Sequence, residues 1–332
     1  GIYPVNKNGG YLYPHSGQAA SVAEVLCMEA RNLGVKIKTN QKVQRVFKEQ
    51  DIWKVQVEGW IYEGEAVILA NGSKASAISG SDGSGYELAA ALGHRLIEPL
   101  PALTALKCRN TGFSGWAGVR TEGRITLLVD GEKVTEETGE LQLTDYGVSG
   151  IPVFQVSRFA AKALVKGKKV CAEVDFFPEY DSLNELEEYL TGRMNGMRDR
   201  TIREALEGLL ADKLIDTALK EIGLSSKKQA GDCTKQEVKV LAKYLKQFTC
   251  EIMSTRKFEQ SQATAGGVST QEICANTMES KLCPGLFFAG EVIDIDGMCG
   301  GYNLQWAWTS GYVAGTSAAK KARQSESGKG QK

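Results

Sequence analysis

The chain has 332 residues, with 40 Lys and Arg balancing 40 Asp and Glu, 2 His, 8 Cys, 37 Gly and 42% hydrophobic residues. At roughly 100–200 residues per domain, this length holds about two domains and a sizeable core. Zero formal charge gives no pull toward nucleic acid or anionic lipid, no apolar run nears the roughly 18 residues of a membrane-crossing helix, and no signal peptide opens the chain, so a cytoplasmic, small-molecule protein is expected.

Gly1 opens a polar, glycine-containing stretch with no regular element expected, a start that suits a piece of a longer chain. Ser16 or Ser21 then caps a helix whose apolar residues Val22, Val25, Leu26, Ala30 and Leu33 follow the helical period, with Gly34 ending it. Val35–Thr39 alternates like a strand, and so do Val43–Phe47 and Trp53–Val57; Ala66–Ala70 is wholly apolar, as for a strand covered on both faces. Ser81-Asp82-Gly83-Ser84-Gly85 leads into a helix from Tyr86 to Leu92, stopped by Gly93. His94, just beyond, is expected to be structural, with an imidazolium suiting the helix C-terminus.

Around Pro99-Leu100-Pro101 the pattern changes to short strands, such as Ile125–Val129 and Lys169–Val174, interrupted by one helix at Val153–Leu164. Residues 181–247 are dense in Glu, Lys and Arg at helical spacing and predict short amphipathic helices with solvated charges. Alternating α/β character returns near Ala265-Gly266-Gly267. Gly285–Glu291 reads as a second apolar strand ending in glycine, and the loop Asp294–Gly301 feeds a helix from Tyr302 to Lys320 before a polar, disordered tail. An α/β domain split by an inserted module of strands and helices is the expectation.

The cysteines show no CxxC spacing and none neighbours a histidine, so zinc and dithiol redox sites lack support. No G-x-S-x-G elbow and no GK[ST] loop occurs. What remains are two apolar strands ending at Gly72 and Gly290, where a parallel sheet binds ligands. Glu291, a carboxylate at a strand end, suits hydrogen bonds from sugar-like hydroxyls, although a solvent-facing or helix-capping acid reads equally well. Paired glycines Gly300-Gly301 precede a helix with a stripe of small residues, Ala307, Gly311, Ala314 or Gly315, and Ala318. The free N–H groups at that helix start suit an electron-rich or anionic group, although a tightly packed core helix reads equally well. His15 and Tyr302 are candidates to exchange a proton.

Several segments together, Tyr13–Val22, Val67–Gly72, Gly83–Tyr86, Tyr146–Gly150, Thr264–Val268 and above all Pro284–Glu291 with Gly300–Ala307, resemble a known bacterial NAD(P)/FAD-dependent flavoprotein family. That family includes aminoacetone oxidase-like proteins and a 3-dehydro-bile-acid Δ4,6-reductase. The resemblance spans Tyr11 to Ala318 and implies a Rossmann-like FAD domain carrying an inserted β-rich module and a helical module. Its parts would be residues 1–97 and 271–320 for the FAD domain, 98–180 for the β-rich module with a return through 250–270, 181–249 for the helical module, and a tail at 321–332. It also implies that Asn71, Gly72, Gly290 and Glu291 approach FAD and that Gly300, Gly301, Tyr302, Asn303 and Leu304 lie at the flavin ring. Hydride would pass between flavin and a small organic substrate, with NAD(P)H or O₂ as redox partner. Asn71-Gly72 stands where the family usually has Thr-Gly, and Gly83-Ser84-Gly85 where it has Gly-Asp-Gly. The family's opening strand, G-x-G-x-x-G turn and helix do not occur in this sequence, so weak or no FAD retention by the chain alone is expected. A non-catalytic flavoprotein subunit and a flavin-independent NAD(P) dehydrogenase are the alternatives.

Overall fold

A computed structural model describes residues 1–7, 9–109 and 112–329. The opening residues, expected to be irregular, form a hairpin of β1 (Pro4–Lys7) and β2 (Tyr11–Pro14). The expected helix follows as α1 (Ala19–Asn32), though Leu26 and Leu33 are exposed. Val35–Thr39 is not a strand. Alternation decides which side chains share a face, but a strand also needs a hydrogen-bonding neighbour, and this segment has none among the described residues. β3 (Arg45–Glu49), β4 (Ile52–Val57) and β5 (Trp60–Gly64) make an antiparallel meander. Its third strand was not expected.

β6 (Val67–Leu69) is followed by α2 (Ser84–Ala91) and β7 (Leu96–Ala102). Beyond β7 the chain builds a closed six-stranded barrel from β8 (Leu106–Arg109), β9 (Arg120–Val129), β10 (Glu132–Leu143), β11 (Gly147–Gly150), β12 (Val170–Asp175) and β13 (Phe248–Thr255). Closure leaves no sheet edge exposed, and Leu106, Ile125, Leu127, Leu141, Leu143 and Val148 are fully buried in its core. Where β11 crosses β8, a Cβ on Gly147 would lie 2.2 Å from the Leu106 carbonyl oxygen, and its φ is +152°. Only glycine fits there. α3 (Ile151–Val165) packs on the barrel.

Between β12 and β13 lie α4 (Leu183–Gly196), α5 (Ile202–Leu206), α6 (Asp212–Glu221) and α7 (Lys235–Lys246). Capping boxes start two of them, Thr201 with Glu204 and Thr234 with Glu237. Most charges here face solvent, but Lys246 is buried. The last turn of α7 carries its ammonium to Asp175 Oδ2 at 2.8 Å, the Phe177 carbonyl at 2.8 Å and the Tyr180 carbonyl.

The chain leaves the insertion through β14 (Ala263–Val268), which runs antiparallel to β7 with Ala263 opposite Ala102 and Val268 opposite Leu96. β15 (Leu286–Phe288) then pairs in parallel with β6, Val67 opposite Leu286 and Leu69 opposite Phe288. Ile68 in β6 is 38% exposed, so this strand is not covered on both faces as expected. α8 (Tyr302–Lys329) continues through the residues expected to form the tail, and residues 330–332 lie outside the described residues. In α8, Ala314 and Ala318 of the small-residue stripe are buried, whereas Gly311 and Gly315 border open space. Among the described residues no helix is long and apolar enough to cross a membrane.

His94 has a structural role of another kind. It is 4% exposed, Nε2 lies 2.7 Å from Ser280 Oγ, and burial lowers its pKa, so it sits in the core as a neutral ring and not as a cation on a helix dipole.

Candidate functional site

Parallel pairing of β6 with β15 sets their carboxyl ends side by side, bringing Ala70-Asn71-Gly72 against Ala289-Gly290-Glu291. Both glycines have positive φ, +72° at Gly72 and +74° at Gly290, so each strand turns sharply where a ligand would approach. α8 grips the second turn: the Gly290 N–H donates to Ser310 Oγ at 2.9 Å and Trp306 Nε1 donates to the Gly290 carbonyl at 3.1 Å.

In front of these strand ends lies a cavity of about 400 Å³. Ala70, Gly72, Gly290 and Glu291 form its floor, the segment Met298–Gly301 with Asn303, Leu304 and Ala307 forms one wall, and Leu103 and Gln262 face it from the base of the insertion. A neighbouring hollow of about 550 Å³ shares Ala70, Gly72, Gln262 and Glu291 and adds Asn71 and Ser81. Of the residues singled out from sequence, Gly72, Gly290, Glu291, Gly300, Gly301, Asn303 and Leu304 converge on the first cavity. Asn71 lines the second and a further hollow beside β6 but not the first, and Tyr302 is half exposed and lines neither of the first two. His15 stacks edge-on with Tyr3, 5.7 Å between centroids, and also lines neither.

The wall segment is held from three sides. Asn303 Oδ1 accepts from the Gly297 N–H at 2.8 Å while its Nδ2 donates to the Gly297 carbonyl at 3.2 Å, so this amide is engaged at both ends in folding the loop. α3 reaches across with Gln155, which accepts from the Cys299 N–H at 3.0 Å, and Arg158, which donates to the Asp296 carbonyl at 2.7 Å and carboxylate at 3.0 Å. Burial raises the Asp296 pKa against the opposing pull of Arg158. The Tyr11 ring lies against Gly300, where a Cβ would come within 3.2 Å of it.

Beneath the floor, Glu291 Oε2 accepts from Ser73 Oγ at 3.1 Å, and Ser73 Oγ accepts from Thr264 Oγ1 at 3.1 Å and from the Ala75 N–H at 3.2 Å. Burial pushes the Glu291 carboxyl up, with the Ser73 hydroxyl opposing. Tyr86 is 3% exposed; burial and the nearby Glu291 carboxylate push its phenol up to about 12. The Thr264 and Ser73 hydroxyls beside it oppose that rise, and the buried Asn71 Oδ1 has no hydrogen-bond partner among the described residues. A Cβ on Gly85 would sit 2.2 Å from the Asn71 amide, so Gly85 makes room for that side chain.

Leu103, Gln262, Met298 and Cys299 were missed from sequence, as were Ser73, Gln155 and Arg158. Ser73 follows Gly72 and Met298-Cys299 precede Gly300 in segments already read as site loops, whereas Leu103, Gln262, Gln155 and Arg158 belong to no local motif and reach the site through long-range packing. The one signal near Gln262 was the Thr264–Val268 glycine segment two residues on.

Residues 1–317 match the family described as HI0933-like protein Rossmann domain. A 3-dehydro-bile acid delta(4,6)-reductase of Clostridium scindens is 41% identical over 315 residues, covering 95% of this chain and 77% of the relative. Ribosomal RNA dihydrouridine synthases are more distant. That of Haemophilus influenzae is 28% identical, covering 97% of this chain and 78% of the relative, and that of Escherichia coli is 26% identical, covering 93% and 76%.

Proposed function

The chain belongs to the HI0933-like family of FAD-binding, flavin-dependent oxidoreductases, and from that premise we propose where the flavin lies and which reaction it serves. The flavin ring occupies the 400 Å³ cavity against Gly300, Gly301 and Leu304, and the adjoining chain of the cofactor runs past Gly72 and Gly290 to Glu291. The supporting observation is the convergence of two positive-φ strand-end glycines with the loop before α8 on one cleft. That cleft falls within the range of roughly 300–1,000 Å³ typical of cofactor sites.

The residues present fit FAD. Gly301 has no atom within 4 Å of where its Cβ would be, leaving its backbone open to a flat ring. The first-turn N–H groups of α8 lack intrahelical acceptors and favour an electron-rich edge. Glu291, fixed through one oxygen by Ser73, keeps the other for a ligand hydroxyl. The buried Asn71 Oδ1 is an acceptor awaiting a donor. When bound, FAD supplies the hydride chemistry; this chain's residues orient it.

Both activities named for the relatives saturate a carbon–carbon double bond conjugated to a carbonyl: the 4,6-diene of a 3-oxo steroid and the pyrimidine ring of uridine. Our reading is therefore reduction of an electron-poor alkene in a small organic substrate, with NAD(P)H as electron donor. Apolar Leu103, Met298 and Leu304 in the wall support a largely apolar substrate. Eight free thiols suit a reducing, cytoplasmic setting. The test is an equilibrium titration of FAD with the chain, read by flavin fluorescence so that weak complexes register. Binding weakened by Gly301→Val supports the placement; binding indifferent to Gly301→Val refutes it.

A further inference from the structure

Reduction of an alkene conjugated to a carbonyl places negative charge on the carbonyl oxygen as hydride arrives at the β-carbon. A site for this chemistry needs a hydrogen-bond donor aimed at that oxygen. The backbone N–H groups at the start of α8 are assigned to the flavin above, and the side-chain donors in the cavity wall can be compared one by one. Asn303 has both ends of its amide bonded to Gly297. Glu291 is a carboxyl already bonded to Ser73 and belongs to the floor. Among the described residues no Lys, Arg or His lines the cavity.

Gln262 remains. It sits at the mouth of β14, with its backbone N–H donating to the Leu103 carbonyl at 3.2 Å, so its position is fixed by the stem of the insertion. Gln262 lines both hollows. The Cys299 thiol lies 3.8 Å from Gln262 Oε1 and donates to it, which turns the amide nitrogen away from the sulfur. Cys299 is in turn held through its backbone by Gln155 of α3. Gln262 is solvent-exposed, and the thiol contact turns its amide oxygen toward the sulfur.

Resting on the flavin reading above, we infer that Gln262 is the catalytic residue that recognises the substrate carbonyl, binding it in the ground state and stabilising its charge during reduction. The substrate gains a hydride at the β-carbon and a proton from solvent at the α-carbon, both electrons coming from reduced flavin. The same geometry sets specificity. A neutral donor beside Glu291, with no cation in the wall, accepts a ketone or amide carbonyl and rejects an α,β-unsaturated carboxylate.

The test compares wild type with Gln262→Leu and Gln262→Asn, using a steroid 4-en-3-one, 2-cyclohexen-1-one and acrylate as probes. In the absence of flavin turnover, the ultraviolet band of the bound steroid enone should shift to the red in wild type and lose that shift in Gln262→Leu. In FAD-saturated protein reduced with dithionite, Gln262→Leu should slow reoxidation by either enone about 100-fold, the scale of a lost oxyanion donor. Flavin reduction itself should be unchanged, Gln262→Asn should restore part of the rate, and acrylate should be inert throughout. Enone reoxidation and band shift that survive Gln262→Leu would overturn the role of Gln262 and leave the alkene-reduction reading standing. Wild-type protein that binds FAD but is reoxidised by no enone would overturn both.

Discussion

Arg158 ties the barrel-side helix α3 to the loop before α8, and Arg158→Met removes that tie while keeping the bulk of the side chain. Two hydrogen bonds are lost, to the Asp296 carbonyl at 2.7 Å and carboxylate at 3.0 Å. The carboxylate left behind is only 10% exposed. Stranding a buried charge typically costs about 3–5 kcal/mol. Two features reduce that here. Arg158 is 28% exposed, so water screens part of the pair. Burial also raises the Asp296 pKa, so the orphaned group escapes by taking a proton. A loss of about 2–3 kcal/mol is expected, which at roughly 1.5 °C per kcal/mol for a chain of this length is a fall of about 3–4 °C in Tm. A carboxyl whose folded pKa is raised stabilises the fold fully below its unfolded pKa and loses that contribution as pH rises through the folded one. The deficit of the variant should therefore be larger at pH 8 than at pH 4.5. Thermal melts at both pH values, with hydrogen exchange of the peptide spanning 294–301, read the effect. A Tm at pH 8 indistinguishable from wild type, with unchanged exchange in that loop, would show that the clamp contributes nothing.

Three further outcomes follow from the same structure. Lys246→Met leaves Asp175 buried beside three lost contacts, the two side chains being 9% and 13% exposed, and should cost about 3–5 kcal/mol, with faster exchange concentrated in β12 and α7. Gly85→Ala forces the Asn71 amide out of the space it fills and should destabilise by about 1–3 kcal/mol while weakening FAD in the fluorescence titration. Glu291→Gln removes a carboxyl whose folded pKa lies above its unfolded value, so Tm should rise at pH 7 and change little near pH 4; equal shifts at both pH values would contradict the burial argument.

Much of the scaffold was legible because strong local signals coincide with it. The helical period of residues 22–33, the apolar runs ending at Gly72 and Gly290, and the glycines before Tyr302 each encode their element within a few residues. β5 escaped notice although Gly59 punctuates a tight turn before Trp60. Val35–Thr39 misled in the opposite direction, since alternation is visible in sequence and a missing partner strand is not. Charge at helical spacing reads as solvent-facing, so Lys246 went unrecognised until the end of β12 was seen above it. At the cavity the pattern repeats. Backbone features announced themselves through glycine, whereas Gln262, Cys299 and Arg158 owe their positions to contacts between α3, β14 and the loop before α8.

The antiparallel stem of β7 and β14 also bears on how the chain folds. β6 and β15 must pair across everything between residues 69 and 286, a closure whose entropy grows with the logarithm of loop length. The barrel and helices can form first as a unit of their own. Once they have, Ala102 and Ala263 face each other across the stem, and the effective loop shrinks to the short segments on either side. Assembly of the cleft at the ends of β6 and β15 is then the late event. The cleft should be the first region to open under denaturant, with amides at Leu69 and Ala289 exchanging while those of the barrel remain protected.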